Sequence, residues 1–61
     1  MKLKDLETHL RAHGCILSRQ GGNHTIYKNH NNNKITSVPR HREIKPFTVK
    51  SICKQLEIPL P

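Results

Sequence analysis

The sequence is short of aromatic residues. It has no Trp, one Phe and one Tyr among 61 residues, and its hydrophobic fraction is 33%. A chain of this length buries only about 60% of the surface that its unfolded form exposes, so residues 1–61 are predicted to form one domain with a modest core. We therefore expect no deep substrate cavity, and any ligand should bind across the surface.

Acidic residues are also scarce. Eleven Lys and Arg stand against four Asp and Glu, which gives a net charge of +7 with His counted as neutral. The excess is shared by both halves, with +3 in residues 1–30 and +4 in residues 31–61. Because each neutralised phosphate releases condensed counterions, nucleic acid is the predicted partner. Simple solubility and attraction to anionic lipid are the alternatives.

Only two cysteines are present, and no long apolar run. Cys15 and Cys53 form no C-x-x-C pair, no signal-like start precedes them, and both lie in apolar patterns where Cys acts as a small buried hydrophobe. No apolar run approaches the roughly 20 residues that span a membrane. We expect a soluble cytoplasmic protein that contacts no membrane and needs no cofactor.

Periodicity predicts five elements. Leu3, Leu6 and Leu10 indicate a helix over Met1–His13, which Gly14 ends. Three strands should follow, joined by Gly21-Gly22 and by an Asn-rich turn. Their predicted ranges are Cys15–Gln20, His24–Asn29 and Lys34–Val38. A second helix begins at Pro46 and carries an apolar stripe of Val49, Ile52, Cys53 and Leu56.

The α-β-β-β-α order predicts an α+β fold. Its antiparallel three-stranded sheet should hold both helices on one face and leave the other face open. Strict alternation in the first strand puts Cys15, Leu17 and Arg19 on one side. In the second strand Ile26 and Tyr27 point to opposite sides, and the pattern alone does not say which one is buried. An inward Tyr27 would place His24 on the outer face.

Histidine supplies the chemistry for cutting RNA without a metal. A base removes the proton of the 2′-hydroxyl, an acid assists the leaving oxygen, and cations stabilise the charged phosphorane. His24 follows Gly21-Gly22-Asn23, and these glycines permit a tight turn and close approach of a nucleic-acid backbone. From this pattern alone, a surface histidine without a catalytic role remains the alternative.

The other histidines are weaker candidates. His9 and His13 are spaced as a metal-binding pair, but no third ligand follows at a recognisable spacing, so no metal site is predicted. His30 lies in the Asn-rich turn. His41 lies between two arginines, where it is either a phosphate contact, an auxiliary acid or a plain loop residue.

Three segments resemble a known family. Residues 19–24 (RQGGNH) resemble the R-x-x-G-S-H motif of HicA-type (YcfA-like) toxins, the messenger-RNA-cleaving halves of HicAB toxin–antitoxin pairs. Residues 36–41 (TSVPRH) resemble the family's valine-proline-x-histidine segment. Residues 43–52 (EIKPFTVKSI) look like its basic, proline-started second helix. The likeness covers essentially the whole chain in order.

The resemblance implies a double-stranded-RNA-binding-like fold and metal-independent cleavage of messenger RNA. It assigns the essential histidine to His24 and implies a HicB-type antitoxin that masks the active site. The expected products carry a 2′,3′-cyclic phosphate and a 5′-hydroxyl. Further residues are candidates for RNA contact because they are basic or lie in the matching motifs. They are Arg19, Gly22, Asn23, Lys28, Arg40, His41, Arg42, Lys45, Lys50 and Lys54.

Three positions depart from the family pattern. Asn23 replaces the motif serine, Phe47 replaces a glycine after the helix-starting proline, and Glu57 replaces a helix-ending glycine. Phe47 is either an anchor for the antitoxin or a cap on the edge of the core.

Two other function classes fit the same charge. A non-catalytic double-stranded-RNA-binding module shares the element order, and an adaptor would act mainly through its protein partner. No residue in the sequence stands out as the general acid that would complete the mechanism.

Overall fold

The computed structural model describes all 61 residues and has the predicted element order. Its helices are α1 (Leu3–Ala12) and α2 (Pro46–Leu56), and its strands are β1 (Cys15–Gly21), β2 (His24–Asn29) and β3 (Ile35–Pro39). The strands pair antiparallel in the order β1-β2-β3. The predicted α+β fold is confirmed. Neither helix has the length and apolar character needed to cross a membrane.

Both helices pack on one side of the sheet. The core consists of ten buried residues, contributed by both helices, all three strands and the loop before α2. They are Leu6, Leu10, Cys15, Tyr27, Val38, Ile44, Val49, Ile52, Cys53 and Leu56. Burial of each large aliphatic side chain contributes about 1.5–3 kcal/mol, which is a large share of the stability of so small a domain. The opposite side of the sheet carries no helix.

Tyr27 is the residue of β2 that points inward. Its side chain is only 3% exposed, and Thr25 and Asn29 are buried with it. The Tyr27 hydroxyl donates a hydrogen bond of 2.7 Å to Oε2 of Glu7 on α1. A buried tyrosine needs such a partner, and α1 supplies it across 20 residues of sequence. His24, Ile26 and Lys28 therefore lie on the open side.

A β-bulge in β1 changes which side Arg19 faces. Leu17 pairs with Tyr27, but Arg19 pairs with Ile26, so Ser18 is an extra residue in the ladder. Beyond the bulge the alternation is inverted. The prediction that Arg19 shares a side with Cys15 and Leu17 was wrong, because strict alternation does not allow for this extra residue. The bulge puts Arg19 on the open side.

Asparagines at the end of β2 and in the following turn fix the end of α2. The side-chain amides of Asn29 and Asn32 donate to the Leu56 carbonyl at 2.7 and 3.1 Å. The helix ends at Glu57, whose φ of 57° is left-handed, and the Ile58 N–H bonds the Cys53 carbonyl. This is the arrangement that usually places glycine at the left-handed position, so Glu57 is strained there.

Candidate nucleic-acid interface

The open face is the outer side of the sheet, and strand pairing arranges its nine residues in three rows. The first row is Gly21, His24 and Pro39; the second is Arg19, Ile26 and Ser37; the third is Ile16, Lys28 and Ile35. Each row runs from β1 through β2 to β3. Because strands lie about 4.8 Å apart, the face is about 10 Å wide between its outer strand axes.

His24 stands at one end of the open face and is exposed to solvent. Its neighbour on β1 is Gly21, where no heavy atom lies within 4 Å of the position that a Cβ would occupy. Its neighbour on β3 is Pro39. Because Gly21 has no side chain and its surroundings are empty, a ligand can reach the imidazole from the β1 side.

A two-residue turn holds His24 at this position. Gly21 pairs with His24, so the turn consists of Gly22 and Asn23 alone. Gly22 has a φ of +53°, and a glycine with positive φ at the first turn position suits a type II′ hairpin. The Arg40 N–H donates a 2.9 Å hydrogen bond to the Asn23 carbonyl, which ties the turn to the end of β3. Asn23, His24 and Arg40 are thereby brought together.

The open face is positively charged. Arg19 and Lys28 lie on it with His24, and none of its nine residues is acidic. Two of the four acidic residues, Asp5 and Glu7, are on α1, while Glu57 follows α2. The fourth, Glu43, contacts the N-terminal ammonium at 2.9 Å. No carboxylate therefore offsets the field of the two cations at this surface.

A cleft of about 250 Å³ lies beside the first row. Pro39 forms one wall, and His41, Lys45 and Thr48 contribute to the rest. Glu43 also lines the cleft. The N-terminal ammonium lowers the pKa of the Glu43 carboxyl, first through a hydrogen bond and then through its positive charge. Two further predicted RNA contacts, His41 and Lys45, are therefore adjacent to the His24 end of the open face, across Pro39.

The remaining predicted RNA contacts lie elsewhere. Lys50 and Lys54 share a shallow cleft with Phe47 and Ser51 on the side of α2 that faces away from the core. We call these four residues the α2 outer face. Since α2 packs between this surface and the sheet, Lys50 and Lys54 are on the opposite side of the molecule from His24. Arg42 lies at a third place, in a cleft with Lys2, Leu3, Lys4 and Glu7.

Phe47 is a solvent-exposed aromatic ring. Its side chain is 82% exposed and takes no part in the core. Of the two sequence-based interpretations, the cap on the edge of the core is therefore wrong, because α2 turns this position away from the stripe that it buries. The anchor interpretation stays a prediction.

His9 and His13 serve structural contacts. The His9 Nε2–H donates to the Pro59 carbonyl at 2.7 Å, and the His13 Nδ1–H donates to the His9 carbonyl at 3.0 Å. Their rings lie 4.4 Å apart, centroid to centroid. No group of three or more His, Cys, Asp and Glu side chains could hold a metal ion. His24 is the one histidine on the open face.

The two thiols are poor nucleophiles in this environment. Cys15 and Cys53 are free and buried in the core. Burial raises the pKa of both thiols, which disfavours the reactive thiolate. Their role is packing, as the apolar patterns around them predicted.

Ser37 is a polar residue of the open face that the sequence patterns did not single out. It lies diagonally across from His24 on β3, and Arg19 lies diagonally across on β1. Alternation within β3 contained the signal, since Thr36 and Val38 are buried and Ser37 is exposed between them. The pairing of β3 with β2 was needed to place it beside His24.

Comparison with protein families gives a match over most of the chain. The sequence model described as "HicA toxin of bacterial toxin-antitoxin" matches residues 3–58 of the chain. Comparisons with curated protein sequences and with solved structures gave no significant match. The matched span includes every element of the fold and the whole open face.

Proposed function

The chain belongs to the family of HicA toxins of bacterial toxin–antitoxin systems, and we propose that it is an endoribonuclease that cleaves messenger RNA without a metal. One observation carries this proposal. His24 is the single histidine on an open face that carries cations and no acidic residue, and it lies beside Gly21, which has no side chain. Cleavage of messenger RNA in the cytoplasm would stop translation and growth.

The proposed reaction begins at the 2′-hydroxyl. His24 takes its proton, the oxygen attacks the adjacent phosphorus, and the bond to the 5′-oxygen of the next nucleotide breaks. The leaving oxygen takes up a proton, so the products carry a 2′,3′-cyclic phosphate and a 5′-hydroxyl. Arg19 lies about 7–8 Å from His24 along the diagonal between paired strands, a distance that its long side chain can bridge. Its guanidinium would stabilise the charge that develops on the phosphorane.

Residues beside the first row would complete the contacts to the RNA phosphates. Asn23 and Arg40 flank His24 at the tied turn, and His41 and Lys45 line the adjacent cleft. We propose His41 as a phosphate contact or auxiliary acid, since its imidazole lines the cleft that Pro39 separates from His24. Gly22 contributes by adopting the positive φ that the turn requires.

The test is cleavage of single-stranded RNA in EDTA. The wild-type protein should cut, and His24→Ala should not; His30→Ala is the matched control, since His30 is an exposed histidine of the β2–β3 turn. Product ends are identified in two ways: the 5′-hydroxyl accepts phosphate from a 5′ kinase without prior phosphatase treatment, and the 2′,3′-cyclic phosphate blocks ligation at the 3′ side until it is removed. Activity retained in His24→Ala would refute the mechanism. Binding without cleavage by the wild type would favour the RNA-binding module, and inhibition by EDTA would implicate a metal.

We further propose that a HicB-type antitoxin binds the chain and that Phe47 is one of its anchors. Exposed aromatic residues are enriched among the residues that dominate interfaces. Phe47 precedes Thr48, which lines the cleft next to Pro39. An antitoxin that covers His24 and this cleft would therefore reach Phe47 by extending around the N-terminal end of α2.

A further inference from the structure

The open face carries three isoleucines that the proposed chemistry does not use. Ile16 and Ile35 are 52% and 59% exposed in the third row, and Ile26 is half-buried in the second. No helix covers them, because both helices pack on the other side of the sheet. In a chain with so few apolar residues, a cluster of this kind on one face indicates a binding surface.

The same rows carry the cations of the open face. Lys28 lies between Ile16 and Ile35, and Arg19 lies beside Ile26. Lys28 is four residues from His24 along β2, which is about 13 Å in a strand. A chain of phosphates that begins at His24 can therefore reach Lys28 within a few nucleotides.

We propose that the open face binds single-stranded RNA along β2, from the scissile phosphate at His24 to a phosphate at Lys28. Its unpaired bases lie on Ile26, Ile16 and Ile35, while Arg19 and Ser37 face the strand from either side. This path rests on the proposed ribonuclease function. It adds that the substrate is an unpaired strand, and it assigns contacts to the RNA at residues distant from the scissile phosphate.

An unpaired strand fits the mixture of groups on this face. The bases of a duplex are stacked inside, so a duplex presents mainly phosphates and 2′-hydroxyls and would leave the isoleucines against polar atoms. Unpaired bases turn their flat faces outward and can lie on apolar side chains. Because none of these side chains is aromatic, we expect modest affinity and little base preference.

Charge argues against a second copy of the chain on this face. Pairing two open faces would bring Arg19 and Lys28 of one copy against cations of the other, in a chain with a net charge of +7. No acidic residue on the face could offset that repulsion. A polyanion gains from the same charges.

Binding is measured by fluorescence anisotropy with labelled single-stranded RNA and with a duplex of the same sequence. All variants carry His24→Ala, which keeps the RNA intact. Lys28→Gln tests the open face, Lys50→Gln tests the α2 outer face, and Lys4→Gln on α1 is the control for loss of one charge. We expect Lys28→Gln to weaken binding about 5-fold and to reduce the salt slope by about 0.7, with less than about 2-fold for the other two.

The apolar contact is tested with two residues of equal exposure. Ile35→Thr replaces an apolar side chain of the open face with a smaller one that carries a hydroxyl, and Leu60→Thr makes the same kind of change on the C-terminal segment, where Leu60 is 57% exposed. We expect Ile35→Thr to weaken binding of single-stranded RNA about 3-fold and Leu60→Thr to leave it unchanged. The duplex should bind more weakly than the single strand, and neither substitution should change its affinity.

Four results would overturn the path. The first is an equal or larger loss with Lys50→Gln than with Lys28→Gln, and the second is a duplex that binds as tightly as the single strand. The third is a homodimer, seen by sedimentation, that Ile35→Thr dissociates. An antitoxin whose affinity depends on Ile35 while RNA binding does not would also assign the face to protein. If one of these results appears but the protein with His24 still cuts RNA, only the proposed path is refuted and the ribonuclease proposal stands. If RNA binds along this path but is not cut by the protein with His24, only the ribonuclease proposal is refuted.

Discussion

The open face and the α2 outer face are both basic and both exposed, yet they differ in what accompanies the charge. The open face combines Arg19 and Lys28 with an imidazole and with bare backbone at Gly21. The α2 outer face combines Lys50 and Lys54 with an aromatic ring and no titratable group near neutral pH. Net charge attracts a polyanion to either surface, but only the first has the groups for phosphodiester chemistry. Charge therefore determines which surfaces attract a polyanion, and the side chains beside the charge determine whether that surface can also carry out chemistry on it.

The largest effect should come from His24→Ala. We expect RNA cleavage to fall by about 10²–10⁴-fold, because the proposed general base is lost. The rate is followed with a quenched fluorescent RNA in EDTA. Cleavage that survived this change, but not a change at Lys50 or Lys54, would reverse the assignment of the two faces.

Arg19→Ala should cost less than the loss of His24 but more than Lys54→Ala. Removal of one group that stabilises the charged transition state lowers kcat by about 10²-fold. Lys54→Ala removes the same charge from the α2 outer face and should lower kcat/KM by only about 2-fold through the overall field. Equal losses in the two variants would show that only net charge matters.

Phe47→Ala should affect the antitoxin and not the reaction. A well-seated aromatic anchor is worth about 2 kcal/mol, which corresponds to about a 30-fold loss of affinity. Titration calorimetry with a HicB-type protein measures the loss, and the cleavage rate of the free toxin should not change. An unchanged antitoxin affinity would remove the anchor and leave the α2 outer face without an assigned partner.

Tyr27→Phe tests how much the hydrogen bond between the Tyr27 hydroxyl and Glu7 contributes to the free energy of unfolding. Burial, with help from the hydrogen bond to Glu7, raises the pKa of Tyr27 to about 12. Because this lies above the ordinary value of 10.0, the stabilisation is complete below about pH 10 and is lost as the pH rises through about 12. The variant should lose about 1–2 kcal/mol of unfolding free energy at neutral pH and show a weaker decline above pH 10.

Urea denaturation at several pH values measures that change. Cleavage at neutral pH should be nearly unaffected, since Phe still fills the inward position and leaves His24 outward. A large loss of activity at intact stability would mean that the Tyr27 hydroxyl orders the open face directly.

The smallest effect is expected at Glu57. Glu57→Gly relieves a side chain held at a φ of 57° and should stabilise the protein by about 0.5–1 kcal/mol. Thermal unfolding measures the gain, and RNA cleavage should not change, because this helix end is remote from His24. A destabilised variant would show that the Glu57 side chain makes a favourable contact that outweighs its strain.

The sequence predicted the elements well and the site only in part. Element order followed from local periodicity, which is encoded within each segment. The bulge at Ser18 could not be predicted, because a bulge exists only relative to the partner strand. The inward position of Tyr27 could not be predicted either, because it depends on which side of β2 the helices cover. The basic residues were predicted as one set, and tertiary packing divided them between surfaces.

The openness of the sheet has a topological consequence. A pocket with walls admits the end of a polymer or a residue flipped out of it, but a flat surface about 10 Å wide has no closed end. A long chain can be laid across it from the side, at any point along its length, without threading. Because the two-residue turn already fixes His24 before binding, no lid has to close over the strand. For the proposed ribonuclease, such a surface would favour cuts in the interior of a message and would let both fragments leave sideways.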